Sequence, residues 1–483
     1  MLTVSPPEPE APPATPAPWW RRLLGRPADW HLRRPSLPRS SRPGRPRLAW
    51  LGPITVVVST LIGWFAFAGA QGDEGNVAFG LFIGAASIVL MAWSFVLALR
   101  LRFLERFFGG LDSMYRVHRW AGSLAVVAMF LHTSAEPEIE GGIRGASRSL
   151  AEQAEGLAGT GEVMLYVLVA LSLLRWFPYR WWRWTHKLLG IPFAFACFHF
   201  FTAEKTYANG SPWGWYFGLI MLAGLVAWVW RTGVVSALLP GRRYRVVSAG
   251  VEGSTMELEL EPVGRPLRHR AGQFAAVKIQ KPGLREPHLF TIASSPDAAN
   301  LRFFIRDLGD WSARIQEHDL VGATVIVEGP YGRFEPYGHG AGAVVWVAGG
   351  VGITPFLSAI DGLPPGRPES KRPTLVYCVR ERADATAIDA LEAAAADGRI
   401  RLEVFASGEG RRFTPERFEA VVGDRFAGAH VAVCGPAGLV ADVAAHARER
   451  GAAEVETEDF DIRSGFGPDL SRELDQLART ARR

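Results

Sequence analysis

The stretches HRWAGSLAVVAMFLH (118–132) and HKLLGIPFAFACFH (186–199) each begin and end on a histidine and are largely apolar between. The spacings are fourteen and thirteen residues. Fourteen helical residues rise about 21 Å at about 1.5 Å each, so a helix crossing a hydrocarbon core of about 30 Å carries one histidine near either face. If the two helices run the same way, His118 meets His186 and His132 meets His199. Two imidazoles facing each other across a bundle can hold one haem iron from both sides, as axial ligands. Two such couples imply two b-type haems stacked across a membrane. A lone histidine at a helix end is usually structural, but ionisable residues at matched depths on two spans point to metal. On a straight helix, thirteen steps leave His199 about 140° from the face of His186. Pro192 lies between them and is expected to kink the helix.

Around these two stretches the first half of the chain is apolar and rich in tryptophan. Six spans are expected, over Leu48–Ala70, Val77–Leu99, Val117–Ala135, Gly161–Phe177, Trp184–Ala203 and Trp213–Trp230. Their connections alternate in charge. RLRFLER, PYRWWRW and RTGVVSALLPGRRYR are basic, as is the N-terminal tail; QGDEGN, the segment Glu136–Thr160 and AEKTYANGSP are acidic or mixed. Basic loops stay inside, so both termini are expected in the cytoplasm and the third and fifth spans run parallel. His118 and His186 are then on the cytoplasmic side, His132 and His199 on the outer side. Arg116, Arg119, Arg183 and Lys187 surround the inner couple, positioned for haem propionates or for lipid headgroups. The tail 1–47 is rich in Pro and Arg, is expected to be disordered, and lacks the pattern of a signal peptide. The first span is therefore expected to stay in the mature protein, a multi-pass protein of the cell membrane.

The 483 residues leave room for about three domains. Net charge is +5, but the basic residues crowd the tail and the short loops, and no basic stripe with interleaved aromatics marks the second half. Nucleic acid is not an expected partner; membrane lipid is. Three cysteines, Cys197, Cys378 and Cys434, exclude a disulfide scaffold and a four-thiolate iron–sulfur cluster in this chain. Electrons passing through it need other carriers.

The second half reads as two soluble domains after the 48–239 membrane domain. From 241 to 340, short β-prone runs such as TMELELEP, FAAVKIQ and LRFFIRD, separated by Gly, Pro and Asp, suggest a small antiparallel β-barrel. From 341 to 463, the strand-like VVWVAG, TLVYCVR, RLEVFAS and AHVAVCG alternate with helical segments, which predicts a doubly wound α/β sheet. Residues 464–483 read as a polar tail.

In VAGGVGITPFLS (347–358), a strand runs into a helix through Gly349, Gly350 and Gly352, followed by Thr354 and Pro355. Such a turn lets backbone approach a diphosphate, whose charge the helix start favours. CGPAG, with Cys434, Gly435 and Pro436, ends a later strand of the same sheet, and ligands bind at the carboxyl ends of such strands. HLFTIASSP (288–296, through Ser294) offers an aromatic, then a hydroxyl, to stack on a flavin ring and bond its edge. In IRDLGDWS, Arg306 and the turn Gly309, Trp311, Ser312 can hold a pyrophosphate.

The set HLFT, GGVGITP and CGP resembles the ferredoxin–NADP reductase superfamily. With two histidine pairs on six spans, the chain resembles the NADPH oxidase and ferric reductase family over about Leu48 to Arg463. The family's flavin motif is His-Pro-Phe-Thr, and Leu289 stands here where the family has proline. The resemblance implies that His288 faces the phosphates of FAD, Phe290 touches the flavin and Thr291 approaches N5. It also implies that Cys434 sits at the nicotinamide and that Phe460 shields the flavin face, though a polar tail follows Phe460 here.

NADPH is expected as the coenzyme. No acid sits at the tip of TLVYCV to hold a free ribose hydroxyl, whereas Arg380 and Arg382 there, with Arg411 and Arg412, suit a 2′-phosphate; Glu381 weighs the other way. The expected function is electron transfer from cytoplasmic NADPH through FAD and the two haems to an outer acceptor. Dioxygen, giving superoxide, and a ferric chelate both suit an exposed outer haem edge. The alternative is an electron-donor subunit for an extracytoplasmic protein, with the segment Glu136–Thr160 as its docking site or simply a lid.

Overall fold

The computed structural model describes residues 48–70, 77–135, 137–174, 179–234, 241–307, 309–338 and 342–459. The tail 1–47, Phe460 and the tail 464–483 lie outside the described residues.

The N-terminal half is helical: α1 (Leu51–Ile62), α2 (Trp64–Phe67), α3 (Val77–Ala98), α4 (Arg102–Phe108), α5 (Leu111–Ala135), α6 (Arg148–Leu173), α7 (Tyr179–Lys187), α8 (Gly190–Thr202) and α9 (Pro212–Val229). Among the described residues, four helical segments are long and apolar enough to cross a membrane: Leu48–Phe67, Val77–Ala98, Arg148–Leu173 and Pro212–Gly233. The histidine-bearing helices do not meet that test: α5 carries Arg116, His118, Arg119 and His132, and α7 and α8 are too short, at 9 and 13 residues. The bundle's interior holds Phe67, Val89, Phe193 and Phe217, all nearly inaccessible, while Val57, Phe65, Val163, Leu219, Leu222 and Val226 face outward. An apolar exterior over an equally apolar interior is what lipid as solvent demands. Small residues let helices approach: α3 buries Gly80, Gly84, Ala85, Ala86 and Ser87, and the Ser87 hydroxyl donates to the Ala125 carbonyl on α5 at 2.8 Å.

The structure departs from the expected spans in two places. The segment expected as a loop over Glu136–Thr160 is largely helix, since α6 begins at Arg148. RSLAEQAEGLAG is dense in Ala, Leu, Glu and Gln, all strong helix formers. Before it, β1 (Ile143–Arg144) pairs antiparallel with β2 (Glu204–Lys205), and Arg144 ion-pairs with Glu204. The expected fifth span is broken between Lys187 and Gly190. Pro192 is the cause: its ring crowds the carbonyl four residues back, that of Leu188, so the break falls one turn before the proline. The freed Lys187 carbonyl accepts the Trp228 indole N–H at 2.8 Å, and Gly190 leaves room for that indole where any Cβ would collide with it.

The first soluble domain is a six-stranded antiparallel sheet: β3 (Arg242–Glu252), β4 (Thr255–Pro262), β5 (Phe274–Ile279), β6 (His288–Thr291), β7 (Leu301–Arg306) and β8 (Thr324–Tyr331), in the order β6-β5-β8-β3-β4-β7. It wraps a core of Tyr244, Leu258, Val277, Phe303, Ile305 and Val327. Of the small barrel expected, the structure shows a half-barrel sheet: β6 and β7 end the ladder, and the Ala293 N–H, just past β6, donates to the Arg302 carbonyl on β7 at 2.8 Å. One of these two edges, β6, carries HLFT.

The second domain is a parallel sheet of β9 (Val344–Gly349), β10 (Thr374–Val379), β11 (Arg401–Ala406), β12 (His430–Gly435) and β13 (Glu454–Asp459), ordered β11-β10-β9-β12-β13. β13 and the helix Pro415–Val422 had no counterpart among the expected elements. Continuous apolar runs such as VWVA (345–348) are buried on both faces, as a sheet covered by helices on both sides requires. Strand order reverses between β9 and β12, and a ligand crevice belongs at that switch point.

Candidate functional site

The histidines come first. His118 and His186 face each other, ring centres 6.1 Å apart and planes at 65°. Two axial imidazoles with nitrogens about 2 Å from one iron put ring centres about 6 Å apart. His199 on α8 lies within electrostatic reach of His132 on α5. The fold sets the rings of the inner expected couple against each other and leaves His132 and His199 within electrostatic reach.

Three of the four rings also have an orienting partner. His118 Nδ1–H donates to the Ser94 carbonyl at 2.8 Å, and His132 Nδ1–H to the Gly80 carbonyl at 2.9 Å. His186 Nδ1 lies 3.3 Å from the Ser172 hydroxyl, and the Trp182 ring stacks on the imidazole at 5.0 Å. A proton fixed on Nδ1 leaves the Nε2 lone pair available to a metal, the second-shell arrangement that metal-binding histidines use. Gly84 makes space for His132: a Cβ there would lie 2.7 Å from the ring nitrogen. Among the described residues no group of three or more His, Cys, Asp or Glu is placed to hold a metal alone. A macrocycle supplying four ligands of its own needs only the couples. Arg119, beside His118, keeps a buried Nε without a hydrogen-bond partner among the described residues, an orphan that an anionic group would satisfy.

None of the orienting partners was visible in the sequence. Ser94 and Gly80 act through backbone carbonyls, which carry no residue signature. Gly84 acts by lacking a side chain.

At the edge of the first sheet, β6 pairs with β5, placing Thr291 opposite Phe274 and His288 opposite Val277. The Thr291 hydroxyl is buried and has no hydrogen-bond partner among the described residues. Buried polar atoms are nearly always bonded, so an orphan here fits a missing ligand edge. His288 stacks on Trp311 at 4.1 Å, and Phe290 lies 5.9 Å from the same ring. Glu286 sits 3.8 Å from His288 Nε2, an acidic neighbour that a phosphate-facing role must accommodate. The Gly309 N–H donates to the Ser312 hydroxyl at 2.9 Å, which shapes the turn before Trp311. Ser294 plays another part: its carbonyl accepts from His269 at 3.0 Å and from Ser358 of the second domain at 2.6 Å. It is a joint between the domains, seconded by the Arg302–Asp361 ion pair at 2.9 Å.

In the second domain the two glycine motifs meet at the switch point. A Cβ on Gly352 would collide with the Cys434 carbonyl, so backbone packs on backbone between GGVG and CGP. Gly350 has φ +56°, and Arg306 Nη1 would lie 3.2 Å from a Cβ there, so the arginine expected at the flavin pyrophosphate overhangs the nucleotide turn. The Thr354 hydroxyl donates to the Val351 carbonyl at 3.0 Å, and Pro355 opens the helix Thr354–Ile360. Gly435 lies against Gly349, and Pro436 precedes the helix Ala437–Glu449. The Cys434 side chain is fully buried, in one cluster with Trp346 and Tyr377. At the end of β10, Arg380 is exposed. Arg382 is ion-paired with Glu392, and Arg411 with Glu403. Phe460 lies outside the described residues, one position beyond β13.

A model of the ferric reductase like transmembrane component matches residues 83–197, one of an FAD-binding domain matches 243–335, and one of an oxidoreductase NAD-binding domain matches 346–445. The matches describe FAD-binding and oxidoreductase NAD-binding domains joined to a transmembrane component. Among curated proteins, dual oxidase 2 of Rattus norvegicus is 25% identical over 341 residues, 60% of this chain and 21% of that protein. In these matches the chain is similar to the NADPH oxidase and ferric reductase family. Methane monooxygenase component C of Methylosinus trichosporium is 36% identical over 124 residues, 25% of this chain and 35% of that protein. The chain spans well under two thirds of either relative. Among solved structures, the FAD/NAD-binding domain of a nitric oxide dioxygenase from Vibrio cholerae is similar at a TM-score of 0.40 and 20% identity, covering 46% of this chain and 99% of that one.

Proposed function

We propose that this protein moves electrons across a membrane, from cytoplasmic NADPH by way of FAD and two b-type haems to dioxygen or ferric iron on the outer side. The observation that carries the proposal is the inner couple: His118 and His186 face each other at 6.1 Å with both Nδ1 atoms engaged elsewhere. When bound, FAD would take up a hydride and give electrons singly to haem iron, which carries one at a time.

The chain's own residues bind and orient. α5 and α7–α8 complete six crossing segments, with the basic loops and both soluble domains on the cytoplasmic side. His118 with His186 would hold the inner haem, His132 with His199 the outer, and the partnerless Arg119 would meet a propionate. On the β6 edge, Thr291 would bond the flavin rim with Phe290 alongside, while His288 and the Gly309–Ser312 turn would meet its phosphates. Arg306 would bridge the flavin pyrophosphate and the nucleotide at Gly350–Gly352. Exposed Arg380 would take the 2′-phosphate, and Cys434 and Phe460 would border the nicotinamide.

A reduced-minus-oxidised spectrum of the purified protein given NADPH and FAD tests the proposal. Haem bands should appear, with a superoxide-sensitive dye and a ferric chelate tested in parallel to name the acceptor. A protein without haem bands would overturn it.

A further inference from the structure

Between the inner histidine couple and the flavin edge lies a set of charges that neither site uses, Glu105 buried and Arg100, Arg231 and Glu328 half-buried. Helix α4 places Glu105, 6% exposed, against the turn that follows β8, and its carboxylate accepts the Gly332 N–H at 3.2 Å. Around that contact Leu97, Phe108, Leu111 and Met114 of the helical half form one cluster with Tyr331 and Phe274 of the sheet. The two ends of this cluster are informative. Phe274 is paired in register with Thr291, and the Tyr115 ring lies 6.5 Å from the ring of His118.

Half-buried charges lie beside it. Arg100 lies 5.5 Å over the Tyr115 ring. Arg231, from a turn with widened, π-type hydrogen bonding, acts electrostatically on the same groups. Opposite them the Tyr331 hydroxyl donates to Glu328 at 2.5 Å. Arg100 also has φ +56°, a backbone state that costs a non-glycine residue energy and persists where the surroundings demand it. Taking charges from water costs several kcal/mol or more per ion, and an apolar junction would hold two domains together at least as well. A set of directional contacts does what an apolar one cannot, by admitting a single register.

We propose that Glu105, Arg100 and Arg231, facing Gly332, Glu328 and Tyr331, are positioning residues that lock the flavin-binding sheet in one register beneath the inner histidine couple. The lock itself rests on the contacts above; its consequence for electron flow rests on the function proposed for the two sites. Electron transfer falls off exponentially with the gap between centres, so a loosened register slows delivery to the haem side and leaves the flavin side untouched.

The experiment uses full-length protein in lipid nanodiscs, as wild type, Glu105→Ala, Glu105→Gln, Glu328→Gln and the charge-swapped pair Arg100→Glu with Glu328→Arg. Amide hydrogen exchange is followed over residues 98–117 and 328–334. Anaerobic stopped flow follows flavin and haem absorbance separately. In Glu105→Ala, exchange at Gly332 should rise about tenfold, as loss of a charge-assisted hydrogen bond predicts. Haem reduction by NADPH should slow while flavin reduction keeps its rate. Glu105→Gln, which retains an acceptor, should change less, and the swapped pair should exceed Glu328→Gln in recovery. Unchanged exchange in both Glu105→Ala and Glu328→Gln would overturn the lock. So would flavin reduction slowing in step with haem reduction, which would place these residues in the flavin site. A wild type without haem bands sinks the proposed function alone, since the exchange data still decide the lock.

Discussion

Two kinds of helix share the membrane half. Leu48–Phe67, Val77–Ala98, Arg148–Leu173 and Pro212–Gly233 are long and apolar enough to cross, whereas α5 is too polar and α7 and α8, divided at Lys187–Gly190, are too short. In α5 and α7 the difference is also chemical. A helix that only fills the bilayer needs apolar side chains, but one that offers metal ligands must carry imidazoles and the cations beside them. The scaffold helices then contribute what the site helices lack: the Ser94 and Gly80 carbonyls that orient two rings, the Ser172 hydroxyl near a third, and the empty space at Gly84. The apolar helices are thus part of the site.

The contrast can be broken most sharply at a ligand. His186→Ala should abolish delivery of NADPH electrons to the outer side, by orders of magnitude, and remove the inner haem; haem content and anaerobic stopped flow read both. His199→Ala should loosen only the outer haem and leave the inner one reducible. An inner haem retained at full occupancy in His186→Ala would end the assignment.

A smaller effect is expected at the coenzyme site. Arg380 is open while Arg382 is engaged by Glu392. Arg380→Ala should therefore weaken NADPH use about tenfold or more, the worth of a charge-assisted contact, with NADH little changed. Arg382→Ala should do less. Steady-state kinetics with both coenzymes decide, and equal losses would make Arg380 structural.

Gly84 sharpens the comparison from the scaffold side. Gly84→Leu adds a side chain where His132 packs, an overpacking cost of about 1–3 kcal/mol. The expected result is partial loss of the outer haem with the inner haem intact. If both haems persist at full content, the scaffold has more give than its packing implies.

At the flavin edge, Thr291→Ala should slow flavin reduction or weaken FAD binding by a few-fold, since a neutral hydrogen bond contributes about 0.5–1.5 kcal/mol. Unchanged FAD affinity and reduction rate would remove Thr291 from the site.

The smallest effect concerns the joint between the soluble domains. Burial holds the His269 imidazole below its ordinary 6.5. As pH falls through that value, the unfolded chain gains a proton that the folded chain resists. Stability should therefore drop below pH 6.5 and stay level above it, and His269→Gln should flatten the acid side of the curve. Thermal melts across pH measure this; an identical slope in the variant would assign the loss to other groups.

Much of this was legible in the residues themselves. The four histidines, their coupling, the parallel sheet and its two glycine motifs follow from periodicity and spacing, because burial on one face or both imposes a repeat on the chain. Pro192 announced the break between His186 and His199, though its position at Lys187–Gly190 depends on which carbonyl the ring crowds and on Trp228 taking the one released. The helix from Arg148 was hidden by charge: Glu152 and Glu155 made a loop of what good helix formers fold.

What only the tertiary structure decided is of a different kind. Ser294 lies in a motif that suggests a flavin contact, yet its carbonyl ties two domains together. Arg306 follows the sheet of one domain and overhangs the turn of the other. Glu105 meets Gly332 across more than two hundred residues. Backbone carbonyls, vacant Cβ positions and contacts between distant segments leave no pattern in residue order. The sequence by itself determined which groups can do chemistry and on which elements they ride; how each is aimed came from packing, because orientation belongs to pairs of residues that only folding brings together.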